Sequence, residues 1–122
     1  MVNGKRGTTM SKNIMNIDGY RAVITYDPEI EMFRGEFIGL NGGADFYGRD
    51  IESLKREGAI SLKVFLEMCE EDGVNPRKEY SGKFNVRLPG ELHREIAIAA
   101  RAEGKSLNKW IADKLARELN AG

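Results

Sequence analysis

The sequence predicts an α+β protein, in which a small antiparallel sheet with one helix precedes a strand followed by two helices. Three observations predict this class. Runs of β-branched and aromatic residues separated by turn formers fill the first half. A long apolar stripe at helical spacing follows them, and residues 81–122 alternate strictly before they change to helical periodicity. We therefore expect a mobile polar tail over 1–18 and two domains, 19–80 and 81–122.

The formal net charge of zero divides unevenly between the two halves of the chain. Residues 1–80 hold 11 Lys+Arg against 14 Asp+Glu, whereas residues 81–122 hold 8 against 5. The change of sign falls where turn formers cluster, at Gly73–Pro76 and Tyr80–Gly82. The whole-chain balance is therefore an average over a mildly acidic and a mildly basic domain, and it does not exclude a nucleic-acid partner.

The first domain begins with strands and ends with a helix. β-Branched and aromatic residues with turn residues between them indicate three strands, at 20–26, 32–38 and 44–48. Asp50 can cap a helix from Ile51 to about Asp72. Gly58 interrupts this helix at a cost of roughly 1 kcal/mol relative to Ala. We expect the helix to cover one face of the sheet.

The second domain opens with an alternating segment, residues 82–88, that reads as a strand. Pro89 ends it, and two helices follow, with Gly104 at the C′ position of the first and Ser106 as N-cap of the second. One strand without a partner and two helices cannot bury enough surface alone, so we expect a homodimer through residues 82–122. The expected dimer core is apolar and comprises Phe84, Val86, Leu88, Leu92, Ile96, Trp110, Ile111 and Leu115.

Paired strands from two copies would form a ribbon of the size that enters the major groove of B-DNA. The polar face of this ribbon carries Lys83, Asn85 and Arg87, whose side chains suit hydrogen bonds to base edges. The start of the last helix offers backbone N–H groups to a phosphate. We therefore expect base contacts from those three residues, and phosphate contacts from Lys105, Ser106, Leu107 and Asn108.

Short matching segments across roughly 100 residues carry a family resemblance; they lie at 19–22, 37–41, 69–73, 80–87, 91–93 and 104–110. The chain resembles the HicB antitoxins that have a C-terminal ribbon-helix-helix domain. The resemblance implies a partial RNase H-like first domain that binds and blocks a small HicA-type toxin, an mRNA-cleaving ribonuclease. It also implies repression of the toxin–antitoxin operon. The two-fold symmetry of the expected dimer predicts a pseudo-palindromic operator, with pairs of dimers on adjacent half-sites as a further expectation.

The residue inventory argues against an enzyme. One His and one Cys cannot form a nucleophilic triad, and the first strand lacks the carboxylates of a two-metal nuclease. We therefore expect no catalytic residues, no metal and no cofactor. The lone Cys69 and the lack of an 18-residue apolar run lead us to expect a cytoplasmic protein without a membrane partner. The alternatives are a stand-alone ribbon-helix-helix repressor with a ligand-sensing first domain, and a degenerate RNase H-like nuclease.

Overall fold

The computed structural model describes residues 13–120 and divides into two compact units. We call Asn13–Ser81 the sheet unit and residues 82–120 the helical unit. This division lies one residue beyond the boundary expected from sequence. The α+β class is confirmed, with four strands and three helices in the described chain.

The sheet unit holds four antiparallel strands in the order β1-β2-β3-β4. The three strands expected from sequence are present. The bounds of all four are β1 Ile14–Ile17, β2 Tyr20–Asp27, β3 Met32–Phe37 and β4 Asp45–Gly48. Since the sheet is open, β1 and β4 form its two edges.

Strand β1 corrects the prediction of a tail over 1–18. Residues 1–12 lie outside the described residues, but Ile14–Ile17 pair with β2 through a tight turn at Asp18 and Gly19, which both have positive φ. An Asp-Gly turn between two strands is a known hairpin signal. The side chain of Ile17 is buried in the core. The prediction was wrong here because the strand is only four residues long and sits in a polar stretch, so its alternation is weak.

Helix α1 (Ile51–Asp72) covers one face of the sheet, as expected. Ser53 N donates to the Asp50 carboxylate at 2.7 Å, which confirms the N-cap, and Gly73 ends the helix in the left-handed conformation. Gly58 lowers the helix propensity of α1, but it also allows the helix to pack closely on the sheet, because a Cβ there would overlap Ile17 and Phe46. The core between sheet and helix consists of Ile17, Ala22, Phe37, Leu40, Phe46, Leu54, Leu62, Phe65 and Cys69.

The helical unit contains α2 (Gly90–Ala102) and α3 (Leu107–Asn120). Gly104, at φ 69°, ends α2: its N–H donates to the Arg101 carbonyl at 3.0 Å, and Lys105 N donates to the Ala100 carbonyl at 2.9 Å. This pair of bonds is a Schellman motif and confirms the predicted C′ glycine. Ser106 Oγ accepts from Lys109 N at 3.1 Å, which confirms the predicted N-cap of α3.

Residues 83–89 form neither helix nor strand in the single chain. A strand exists only when its backbone is hydrogen-bonded to a neighbour. The predicted strand over 82–88 is therefore not formed within one chain. Its pairing with a second copy stays a prediction.

Candidate functional site

The helical unit lacks a core of its own. Ala100 is its one buried hydrophobic residue among those described, whereas Phe84 is 75% and Val86 62% exposed. Full burial of a large apolar side chain is worth about 1.5–3 kcal/mol, so a unit of this size needs most of its apolar residues covered. Five residues of the predicted dimer core are exposed: Phe84, Val86, Leu88, Leu92 and Leu115. The other three, Ile96, Trp110 and Ile111, are half-buried.

The three residues expected to contact bases all lie in the exposed segment before α2. Lys83, Asn85 and Arg87 alternate with Phe84 and Val86 along it. If this segment becomes a strand, successive side chains point to opposite faces. The three polar residues then share one face, and the apolar residues share the other. Their role as base contacts stays a prediction.

The N-terminal end of α3 has the arrangement expected of a phosphate site. Ser106 caps it, and the first-turn N–H groups of Leu107 and Asn108 have no acceptor within the helix. Such groups, together with the positive end of the helix dipole, attract anions.

Lys105, also expected to contact phosphate, is engaged within the chain. Its Nζ lies 3.0 Å from Asp113 Oδ2 and 3.5 Å from Glu103 Oε1. The hydrogen bond to Asp113 is the main reason that the pKa of Lys105 is raised. Lys109 holds the same Asp113 carboxylate at 3.0 Å and lowers its pKa together with Lys105. Lys105 therefore already has two carboxylate partners, of which Asp113 ties the α2–α3 turn to α3.

Trp110 is held by a second contact to the same turn. Its Nε1 donates to Glu103 Oε2 at 2.9 Å, and this bond is the main cause of the lowered pKa of Glu103. Lys114 Nζ lies 5.0 Å from the centre of the indole ring, within cation–π range. Sequence reasoning missed Glu103 and Asp113. Only the i,i+4 spacing of Lys109 and Asp113 offered a signal.

The segment before the unit boundary is bound to the sheet unit. Lys78 N donates to the Gly39 carbonyl at 2.9 Å, and Asn41 N donates to the Pro76 carbonyl at 2.8 Å. The guanidinium of Arg77 lies over the ring of Tyr20. Residues 76–78 therefore belong to the sheet unit rather than to a free linker.

A groove of about 550 Å³ runs between α1 and the loop that precedes β4. Its apolar lining includes Val64, Phe65, Met68 and Val74, and Asp72 supplies a carboxylate. Within residues 13–120, no group of three or more His, Cys, Asp and Glu side chains could hold a metal ion. No helix in this described range is long and apolar enough to cross a membrane.

The HicB family model matches residues 65–115, from the second half of α1 into α3. This match supports membership of the HicB family, and the family suggests an antitoxin role in a toxin–antitoxin system. No curated protein and no solved structure matches the chain.

Proposed function

We propose that this chain is an antitoxin of the HicB type that also represses its own operon. In this proposal the sheet unit is a partial RNase H-like domain that binds and blocks a HicA-type, mRNA-cleaving toxin. The helical unit is a ribbon-helix-helix domain that pairs with a second copy and binds operator DNA. One observation carries the proposal: the helical unit leaves its apolar face uncovered, and that face alternates with Lys83, Asn85 and Arg87.

A second copy is the occupant that fits the uncovered face. Antiparallel pairing of residues 82–88 with the same segment of the second copy would form a two-stranded ladder of backbone hydrogen bonds. It would also place Phe84 and Val86 of each copy beneath the ribbon and against the helices, where they would leave water. A two-fold axis makes such a contact self-complementary, which is the usual arrangement of homodimers.

DNA is the partner that fits the opposite face. Residues 82–120 hold 8 Lys+Arg against 5 Asp+Glu, a net charge of +3. The ribbon would present Arg87 and Lys83 to guanine and Asn85 to adenine in the major groove. The N-terminal end of α3 would hold a phosphate through the backbone at 106–108. Because Lys105 is paired with carboxylates, we assign it to the structure of the turn and not to the phosphate contact.

The charge of the sheet unit suits a toxin that handles RNA. Residues 13–81 hold 8 Lys+Arg against 14 Asp+Glu, a net of −6. A protein that cleaves mRNA must attract a polyanion, so its binding surface is basic. An acidic partner would be steered to that surface and would cover it. In this proposal the chain acts by occlusion and has no catalytic residue, metal or cofactor of its own.

Co-expression with the product of the neighbouring gene, where the proposal expects a HicA-type toxin, is the test. We expect the full chain to restore growth of cells that express the toxin and to co-purify with it. A gel shift with the promoter DNA of the operon should show binding that weakens steeply with salt. Promoter binding without rescue would instead support the stand-alone repressor with a ligand-sensing first domain. Failure of both measurements would overturn the proposal.

A further inference from the structure

We infer that the outer edge of β4, together with the exposed face of α1 beside it, binds an extended basic segment of the toxin by strand addition. This inference rests on the proposed function, because it identifies where on the sheet unit the toxin binds. It adds the surface, the binding mode and the chemistry of the bound segment. In the described part of the chain, no strand pairs with the outer edge of β4.

The hydrogen-bond pattern of the sheet shows which groups of β4 point outward. Phe37 N donates to the Ala44 carbonyl at 3.2 Å, so these two residues form a hydrogen-bonded pair. Bonded and non-bonded pairs alternate along an antiparallel ladder. The partners Glu36–Asp45 and Arg34–Tyr47 are therefore non-bonded pairs, and the backbone groups of Asp45 and Tyr47 point away from β3. The Tyr47 N–H and carbonyl and the Asp45 N–H would therefore face an added strand and could hydrogen-bond to it.

Helix α1 runs back along β4, in the direction opposite to the strand. A Cβ on Gly48 would lie 2.8 Å from Leu54 N, at the start of the helix. Farther along, Ser61 Oγ donates to the outward carbonyl of Asp45 at 3.1 Å. The groove of about 550 Å³ lies next to this contact, between α1 and the loop before Asp45. The side of α1 that carries Ser61 therefore borders the free edge of β4.

That side of α1 is apolar and unusually exposed. Ile60, Val64 and Met68 follow one another at i,i+4 spacing and are 52%, 52% and 55% exposed. A row of three exposed large apolar side chains beside a free sheet edge is a surface that soluble proteins normally protect. In a strand added to β4, every second side chain would point toward this row.

The side chains at the two ends of the row are acidic, so they favour binding of a basic segment. Glu57 and Glu71 extend the same i,i+3 and i,i+4 series at either end, and Asp72 lines the groove. The ion pair between Glu57 and Arg56, at 3.9 Å, is exposed and contributes little. The occupant we infer is thus an edge strand with apolar residues on one face and Lys or Arg at its ends.

Variants of the full chain test this inference. The probe is a catalytically inactive form of the HicA-type toxin that the co-expression experiment above identifies as the partner. Tyr47→Pro removes one of the two outward N–H groups of β4, whereas the matched control Tyr47→Ala keeps it. We expect Tyr47→Pro to weaken toxin binding at least tenfold in calorimetry and Tyr47→Ala to bind nearly as wild type. Val64→Glu should weaken binding to a similar degree. Its control is Ile30→Glu in the β2–β3 turn, another exposed apolar position, and it should not weaken binding.

Hydrogen exchange gives a readout that does not depend on any variant. We expect the Tyr47 amide to exchange more slowly in the complex than in the free chain, because strand addition gives it an acceptor. If the toxin binds the wild type but Val64→Glu binds equally well and Tyr47 is not protected, this inference is overturned and the proposed function stands. If the wild type does not bind, both are overturned. If the edge variants reduce only the oligomeric state of the free chain, the occupant is a second copy and the inference is wrong.

Discussion

The guanidinium of Arg77 lies 3.9 Å from the centre of the Tyr20 ring, and its Nη2 donates to the Gly19 carbonyl at 3.2 Å. Arg77 also forms a bridge with Leu40, so one residue joins the segment after α1 to the β1–β2 turn and to the loop after β3. These contacts make the last residues before the unit boundary part of the sheet unit. The stability of the sheet unit therefore depends on a residue that lies after its last helix.

We expect Arg77→Ala to lower the free energy of unfolding of the full chain by about 1–2 kcal/mol, from the lost cation–π contact and hydrogen bond. Urea denaturation monitored by circular dichroism measures this change. Lys78→Ala is the comparison variant, because it keeps the backbone bond to Gly39 and removes a neighbouring exposed charge whose ring contact, with Tyr80 at 5.5 Å, is longer than that of Arg77. Equal effects of the two substitutions would show that the Arg77–Tyr20 contact adds no stability.

The features that could be predicted from the sequence involve residues close together in the chain, whereas most of those that were missed join residues far apart. Ser106 and Gly104 were predicted because a cap depends on the backbone within four residues of it. The Arg77–Tyr20 contact joins residues far apart in sequence, and no local pattern encodes it. Strand β1 was missed because four residues carry too little alternation. The carboxylate partner of Lys105 on α3, Asp113, was also not predicted, because it lies eight residues further along the chain.

Lys105 provides a second prediction, which separates a structural role from a DNA contact. We expect Lys105→Gln to lower the melting temperature of the chain, because Asp113 and Glu103 lose a partner. We expect it to leave the salt dependence of operator binding unchanged. A lysine that contacts phosphate would instead reduce the slope of log K against log salt by about one. Fluorescence titrations at several salt concentrations measure this slope, and Arg94→Gln, an exposed charge on α2, serves as the control.

Acid should loosen the turn between α2 and α3. The pKa of Asp113 is lowered by its bonds to Lys109 and Lys105, and the pKa of Glu103 by its bond to Trp110. A carboxyl group with a lowered folded pKa contributes stability above its unfolded pKa, and this contribution is lost as the pH falls through the folded value. We therefore expect the loss to begin at roughly pH 4 and to increase below it.

Trp110 is the one tryptophan of the chain, so its fluorescence reports on this turn. The melting temperature, followed by this fluorescence from neutral pH to pH 3, should fall as the pH is lowered. In Asp113→Asn it should fall less steeply, because one titrating group is removed. Asp50→Asn serves as a control for unit specificity: asparagine can still cap α1, and the pKa of Asp50 is also lowered, by its hydrogen bonds with Ser53, but this carboxylate belongs to the sheet unit. An equally steep fall of the melting temperature in wild type and in Asp113→Asn would contradict the stabilising role of the ionised Asp113.

The uncovered face of the helical unit leads to the last prediction, which separates dimer formation from DNA reading. Phe84→Asp places a carboxylate where the second copy is expected to pack, and burial of an unpaired charge is costly. We expect this variant to be monomeric in analytical ultracentrifugation and to lose operator binding. Asn85→Ala changes the other face of the same segment. It should remain dimeric and lose about 1–3 kcal/mol of discrimination between the operator and an operator with one altered base pair. A dimeric Phe84→Asp variant would show that the two copies associate elsewhere, whereas unchanged discrimination by Asn85→Ala would remove this residue from the DNA contact.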